Sequence, residues 1–450
     1  MLAANESGVM KNIMKNIINI LLSIVFSFTF FFFSGCSKVE NKTGERIVNF
    51  AVGGTPDESA FWEELVRNFE QKSGIKVTIQ RQPTDTDLRR QGLVIPLKSG
   101  QADPDVFLMD VAWLGQFAAS GWLKPLDIHT GKGKNPDLSV FFEKIITQAD
   151  TYDEQLVALP VYVDGGLLYY RKDLLDKFGY KKPPETWAKM AEYSHEIQNE
   201  LRKTNPDFFG FVWQGAQYEG LICNFLEFAA SNNGGFFTDK GILSLNTKQN
   251  IEALDFMRGL IQEQKISPPN TYTEMKEEEV RNYFQSGNAL FERNWPYAWK
   301  LHQSADSAVK GRVGIAPLPH FPGGTSASTL GGWHIGISKY SDAKSDSWKF
   351  VKFIVSRETQ KKLALELGWS SGRKDIYKDP DILSALPHYA ALAVAFDNAV
   401  ARPALPYYTQ LSEVIQRYAN MAISGKVSAA EALAKAEDEL RAIAGRYRVK

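Results

Sequence analysis

The chain has 450 residues, with 52 basic and 52 acidic side chains and a formal net charge of zero. That length exceeds one ordinary hydrophobic core, so two domains are expected, and the interspersed charge excludes a basic nucleic-acid-binding face. Of the ten tryptophans, core packing accounts for most, and a flat-faced ligand for a few.

Lys11 and Lys15 precede an apolar run, Ile17–Phe33, that ends in Ser34-Gly35-Cys36. A basic start, an apolar middle and small residues before a cysteine read as a signal peptide, residues 1–35. The run is only marginally long enough to span a bilayer, and the small residues favour cleavage over retention. Phe33-Ser34-Gly35-Cys36 resembles a bacterial lipobox, with Phe where Leu is more usual. Cys36 is then expected to carry lipid as the mature N-terminus, with residues 36–45 as a polar tether. Met10 and Met14 are alternative starts. With Cys36 acylated, Cys223 has no partner for an intramolecular disulfide. It falls in an apolar helical pattern and reads as a buried, inert thiol.

Ile47–Val52 reads as a strand, Asp57–Lys72 as a helix with Phe61, Leu65 and Phe69 on one face, and Ile75, Val77 and Ile79 as a second strand. This is a βαβ unit, so a parallel sheet with a right-handed crossover is expected. Gly53-Gly54 lacks the Gly-Lys-Ser/Thr of a phosphate loop. Leu88–Lys98 is predicted helical, Pro104–Asp110 a strand ending in an acid, and Trp113–Ala119 helical. Val157–Val163 reads as a strand leaving the first domain and Leu167–Arg171 as one entering the second. Helices are expected at Lys172–Phe178, Glu185–Asn199, Gly220–Ala230, Asn250–Gln264 and Glu277–Phe284. Strands are expected at Phe208–Trp213, Ala289–Arg293 and Val313–Pro317.

Gly323–Thr329 is a polar loop before Leu330–Ser338, Leu-Gly-Gly-Trp-His-Ile-Gly-Ile-Ser. Ile335 and Ile337 alternate with small or polar residues, so the second half reads as a short strand. The glycines tolerate φ > 0 and close approach to the backbone. The stretch is expected to be a strand end presenting bare backbone and the Trp333 indole to a cleft. Helices follow at Ser345–Val355, Leu411–Ile423 and Ala429–Ala444. Two α/β lobes, with crossings expected near Leu159–Val163 and Ala316–Pro319, leave a cleft along the strand ends, where ligands of open α/β sheets sit. Asp110, Asp164 and Gly332-Trp333 fall at such places.

A sugar presents hydroxyls at its rim and C–H groups on its faces. Carboxylates accept paired hydroxyl hydrogen bonds, Arg donates in a fork, and Trp and Tyr supply flat apolar area. Glu58, Asp110, Tyr162, Asp164, Trp295, Trp333 and Arg402 have the required types. Structural roles compete with that reading. Glu58 suits a helix dipole, Asp110 a helix cap, Asp164 a turn and Arg402 an ion pair.

The run Val161–Leu175, Val-Tyr-Val-Asp-Gly-Gly-Leu-Leu-Tyr-Tyr-Arg-Lys-Asp-Leu-Leu, resembles the lobe-crossing segment of extracellular solute-binding proteins of ABC sugar importers. Leu330–Ser341 followed by Trp348-Lys349-Phe350-Val351, and Arg402-Pro403 before Tyr407, are similar to the same family. The nearest likeness is to trehalose/maltose-binding proteins, and it covers essentially the whole mature chain. It implies an α/β, two-lobed periplasmic-binding-protein-like fold of type II, each lobe a mostly parallel sheet flanked by helices, with the cleft between. The implied boundaries are 46–160 plus 318–366 for the N-terminal lobe and 161–317 plus 367–450 for the C-terminal lobe. The implied ligand residues are Glu58, Asp110, Tyr162, Asp164, Trp295, Gly332, Trp333 and Arg402. Gln82–Leu88 finds no residue-by-residue match.

The resemblance further implies an extracytoplasmic, lipid-anchored monomer that binds an α-glucoside disaccharide such as trehalose or maltose and no nucleic acid. Its partners would be ABC permease subunits with a separate ATPase. No cofactor is expected. A glycoside hydrolase using two cleft carboxylates is the alternative. A metal receptor is disfavoured: the six His are scattered and Asp85-x-Asp87 lacks the rest of a calcium loop.

Overall fold

The computed structural model describes residues 47–127, 136–238, 241–386, 388, 389, 392, 396 and 399–447. The expected leader, Cys36 and the tether lie outside the described residues. Among the described residues, no helix is long and apolar enough to cross a membrane.

β1 (Ile47–Gly53) leads through Thr55 into α1 (Pro56–Ser73). Thr55 and Glu58 form a reciprocal capping box, Pro56 pre-sets the first turn, and Gly74 ends the helix at φ 70°. The buried face of α1 includes Trp62 and Phe69, which pack edge-on against Phe50 of β1 and against Phe350 respectively. β2 (Lys76–Gln82) pairs parallel to β1, so the expected βαβ unit is present. α2 (Thr86–Lys98), capped by Asp85, leads to β3 (Val106–Asp110), also parallel to β1. α3 (Leu114–Ala119), α4 (Glu143–Gln148) and a small hairpin of β4 (Thr151–Tyr152) and β5 (Gln155–Leu156) precede β6 (Leu159–Gly165).

The second lobe takes β7 (Leu167–Arg171), α5 (Lys172–Lys177), α6 (Trp187–Leu201), β8 (Phe209–Val212), α7 (Glu219–Ala230) and α8 (Lys248–Gln262). It continues with α9 (Glu277–Gln285), β9 (Ala289–Asn294), α10 (Ala298–His302) and β10 (Val313–Ala316). Trp187 stacks on Phe228 with ring centroids 4.0 Å apart in its core. β11 (Ser328–Ile337) returns to the first sheet. α11 (Lys344–Ile354), α12 (Arg357–Leu367), α13 (Pro380–Ala385), β12 (Ala399–Ala401), α14 (Tyr408–Ile423) and α15 (Ala429–Tyr447) complete the chain. The first sheet runs β12-β11-β3-β1-β2 with β6 also on β11, and the second runs β10-β7-β9-β8. β12 lies within 367–450, the segment given to the second lobe from sequence, yet it hydrogen-bonds β11 of the first sheet.

Three expectations are corrected. The second sheet is not mostly parallel: only β8 and β9 run parallel, while β7 opposes both β9 and β10. β7 runs away from the first lobe, whereas β9 and β10 run back towards it, so they meet β7 head to tail. The parallel β8–β9 pair has the long helical crossover such a pair needs. Second, Leu159–Val163 is not the crossing. It lies inside β6, hydrogen-bonded to β11 as far as Gly165 opposite Leu330. The chain changes lobes at Gly166, where a Cβ would collide with Glu227 and Arg293. Third, Leu330–Ser338 is not a strand end. β11 starts at Ser328 and runs through both glycines, with an irregular register between Trp333 and His334. The other crossings are 317–327, which contains most of the expected Ala316–Pro319 segment, and 402–407.

Beneath the crossing, Arg293 of β9 and Glu227 of α7 form a bidentate ion pair with side chains 1% and 2% exposed. Glu227 also accepts the Thr329 N–H of β11 at 3.0 Å. One buried carboxylate thus ties a second-lobe helix to a first-lobe strand.

Candidate functional site

Between the lobes lies a cavity of about 360 Å³. All eight residues singled out from sequence line it, drawn from β3, β6, β11, the start of α1 and the segments after β9 and β12.

Asp110 ends β3, where its Oδ1 accepts the Ala112 N–H at 2.8 Å and caps the short turn Val111–Trp113. The same oxygen accepts from Arg402 Nη2 at 2.9 Å, and Arg402 Nη1 donates to Glu219 Oε1 at 2.8 Å. Glu219, the first residue of α7, also accepts from the hydroxyls of Tyr408 and Ser412. The capping and ion-pair roles weighed for Asp110 and Arg402 are therefore both present, at the cavity wall. Arg402 is 2% exposed as a side chain, and its Nε has no hydrogen-bond partner among the described residues.

Glu58 Oε2 accepts the Thr55 N–H at 2.8 Å. Burial pushes its carboxyl up to about 7, against the opposing charge of Arg89. Asp164, next to last in β6, is likewise pushed to about 7 by burial, with the Asp110 charge adding to the effect. No hydrogen bond reaches its carboxylate among the described residues. It is not a turn acid; it sits in the strand, opposite Gly331. Burial, opposed in part by Arg89 and Arg293, thus holds both carboxyls near the edge of ionisation at neutral pH.

The aromatic residues are held by their neighbours. Tyr162 lies against Trp369, with centroids 4.2 Å apart and planes tilted by 34°. Burial raises its phenol well above the ordinary range. The Arg89 guanidinium carbon stands 4.4 Å from the Trp333 ring centroid, and Trp113 meets that indole edge-on at 5.3 Å. Arg293 stands 3.9 Å from the Trp295 centroid. Trp295 Nε1 donates to Glu277 at 3.4 Å. Each indole is thus backed by a guanidinium, a cation–π arrangement that fixes ring orientation. Gly332 adopts φ 131°, and a Cβ there would collide with the Tyr162 carbonyl. A Cβ on Gly331 would press on Trp295 at 3.1 Å. The close approach that the glycines permit is to the protein's own β6 and Trp295.

Sequence reading missed Arg89, Glu219, Glu277, Trp369 and the rim residues Asp85 and Lys276, all of which line the cavity. Arg89 and Asp85 come from the start of α2, in and just after the unmatched stretch Gln82–Leu88. Carboxylates dominate the lining, against three cations, Arg89, Lys276 and Arg402. Cys223 also lines it. It is a buried free thiol, as read from sequence, and burial pushes it up. Among the described residues no group of three His, Cys, Asp or Glu is placed to hold a metal.

Two α/β lobes enclosing a cleft of carboxylates and indoles define a two-lobed ligand-binding protein. The family model for bacterial extracellular solute-binding proteins matches residues 53–361. A Deinococcus radiodurans relative named as a probable ABC transporter-binding protein is 36% identical over 379 residues, 83% of this chain and 88% of the relative. The maltose-bound T. maritima MalE3 superposes with a TM-score of 0.82 at 37% identity, covering 88% of this chain and 99% of that one. A Thermotoga lettingae ABC transporter solute-binding protein bound to α-D-tagatose gives a TM-score of 0.79 at 26% identity, covering 89% and 100%. The chain belongs to the bacterial extracellular solute-binding protein family.

Proposed function

We propose that this protein captures a small neutral sugar, an α-glucoside disaccharide such as maltose or trehalose, and delivers it to the permease of an ABC importer. The observation that carries the reading is the convergence of Glu58, Asp110 and Asp164 with Trp295 and Trp333 on one cavity between the lobes. Carboxylates at a rim and indoles on a face suit a ring with equatorial hydroxyls and apolar faces. Tyr162, Gly332 and Arg402 complete the ligand set, and Arg89 joins it. Maltose in the T. maritima structure, at 37% identity, supports the ligand class.

The lobes divide at Gly166, within 317–327 and within 402–407, which leaves β6 and β12 with the first sheet. A signal peptide, residues 1–35, directs export. Cys36 carries the lipid, and residues 36–45 tether a monomer at an extracytoplasmic membrane face. Replacing Cys36 by Ala should abolish lipid labelling and cleavage at that site, and retained labelling would refute the anchor.

The test of the binding role is a calorimetric panel of maltose, trehalose, tagatose and glucose against wild type and Asp164→Asn, with hydrolysis followed on the same samples. The Asp164 carboxylate accepts no hydrogen bond among the described residues, so replacing it with an amide leaves the fold's networks intact. Loss of charge-assisted acceptance costs about 1.5–3 kcal/mol, roughly tenfold to a hundredfold in Kd. Sugar cleavage by wild type that Asp164→Asn abolishes would favour the hydrolase instead.

A further inference from the structure

The cleft is bridged between the lobes at two depths. At the inner end Arg402 joins Asp110 of β3 to Glu219 of α7. Nearer solvent, Lys276 pairs with Asp85. Asp85 is the N-cap of first-lobe α2, where it accepts the Leu88 N–H at 3.0 Å. Lys276 precedes second-lobe α9, and its Nζ stands 5.2 Å from the Tyr218 ring centroid. Both line the cavity. The side chains are 41% exposed for Lys276 and 21% for Asp85, against 2% for Arg402. The outer pair therefore sits at the mouth.

Two consequences follow from that placement. An ion pair between helix starts on opposite lobes must break whenever the lobes part. A bar across the mouth also occupies space through which a longer chain would leave the cavity. The cavity itself, about 360 Å³, lies at the small end of the range of roughly 300–1,000 Å³ for ligand pockets.

Resting on the sugar-receptor reading, we propose that the Asp85–Lys276 pair is a clasp over the cleft mouth. It sets the upper length of the bound saccharide at about two units and slows its release. Exposed pairs add little to fold stability, so the clasp acts on ligand selection and dissociation rather than on folding.

The probes are maltose and maltotetraose, with affinity by calorimetry and maltose release by stopped flow. The variants are Lys276→Met, which keeps bulk and removes charge, and Lys276→Arg, which keeps charge. Asp85 is left in place because it also caps α2. Wild type should bind maltotetraose about tenfold more weakly than maltose. Lys276→Met should narrow that ratio roughly threefold or more and speed maltose release, while Lys276→Arg stays near wild type. Maltose binding with an unmoved ratio in Lys276→Met would overturn the clasp alone. So would wild type that binds the tetrasaccharide as tightly as the disaccharide. Wild type that binds neither sugar would overturn the sugar-receptor reading and the clasp with it.

Discussion

At the scale of single residues, the cleft's chemistry turns on charge held out of water. Glu58 and Asp164 are both pushed to about 7 by burial, above the ordinary carboxylate range. The unfolded chain releases these protons in that lower range and the folded chain keeps them. The stability they contribute is full below it and is lost as pH rises through about 7. Hydroxyl donors favour the ionised carboxylates, so sugar affinity should rise with pH across the same window, with protons released on binding. Calorimetry at pH 7 in two buffers of different ionisation enthalpy reads this directly; equal apparent enthalpies would contradict it. Trp333→Ala removes a large stacking face and should weaken binding by about 1–3 kcal/mol; an unchanged Kd would remove Trp333 from the ligand set. Residue chemistry was legible where type and position agree, as for Asp110 at the end of β3. Arg89 was not, because a basic residue in the first turns of a helix looks like an ordinary surface position. Its place over Trp333 exists only once the fold brings the start of α2 and β11 to one cavity. Glu219 and Glu277 were hidden in another way: acids at helix starts are expected for the dipole alone.

At the scale of elements, β11 carries the site. It pairs with β3, β6 and β12, and its glycines let it lie against the Tyr162 carbonyl. Gly332→Ala would place a side chain at φ 131° and against that carbonyl. It should lower stability by at least about 1 kcal/mol, measured by urea unfolding; a wild-type midpoint would contradict the packing described. Glu227→Gln leaves the Arg293 guanidinium uncompensated and weakens the tie to Thr329. Breaking such a buried pair costs about 3–5 kcal/mol, and a loss under about 1 kcal/mol would show the pair to be dispensable. Helices with a clear apolar stripe, such as α1 and α8, were read within about two residues of their ends, the usual scatter of helix boundaries. β12, three residues long, gives no periodicity to read. The direction of strands in the second sheet was not legible either. It depends on where the chain crosses between lobes, and nothing local to β7 records that β9 and β10 run back towards the first lobe.

At the scale of the molecule, two lobes joined through Gly166, 317–327 and 402–407 can change their angle with few backbone rotations. Ligand that touches both lobes should favour the closed arrangement by the difference in its affinity for the two states. The radius of gyration should fall at saturating maltose, and superimposable scattering curves would argue for a rigid cleft. The two-lobed plan was legible through separated motifs in the right order, Val161–Leu175, Leu330–Ser341 and Arg402-Pro403. The crossing itself was misplaced because Leu159–Val163 and Gly165-Gly166 adjoin in sequence, and only the ladder to β11 tells them apart. The central claim is that a sugar is held between the lobes by carboxylates of one and indoles of both. A crystal structure grown with saturating maltose tests it most directly. The account predicts one disaccharide in the cavity, hydrogen-bonded to Asp110 and Asp164 and stacked on both Trp295 and Trp333. Maltose bound outside the cleft, or touching one lobe only, would contradict it.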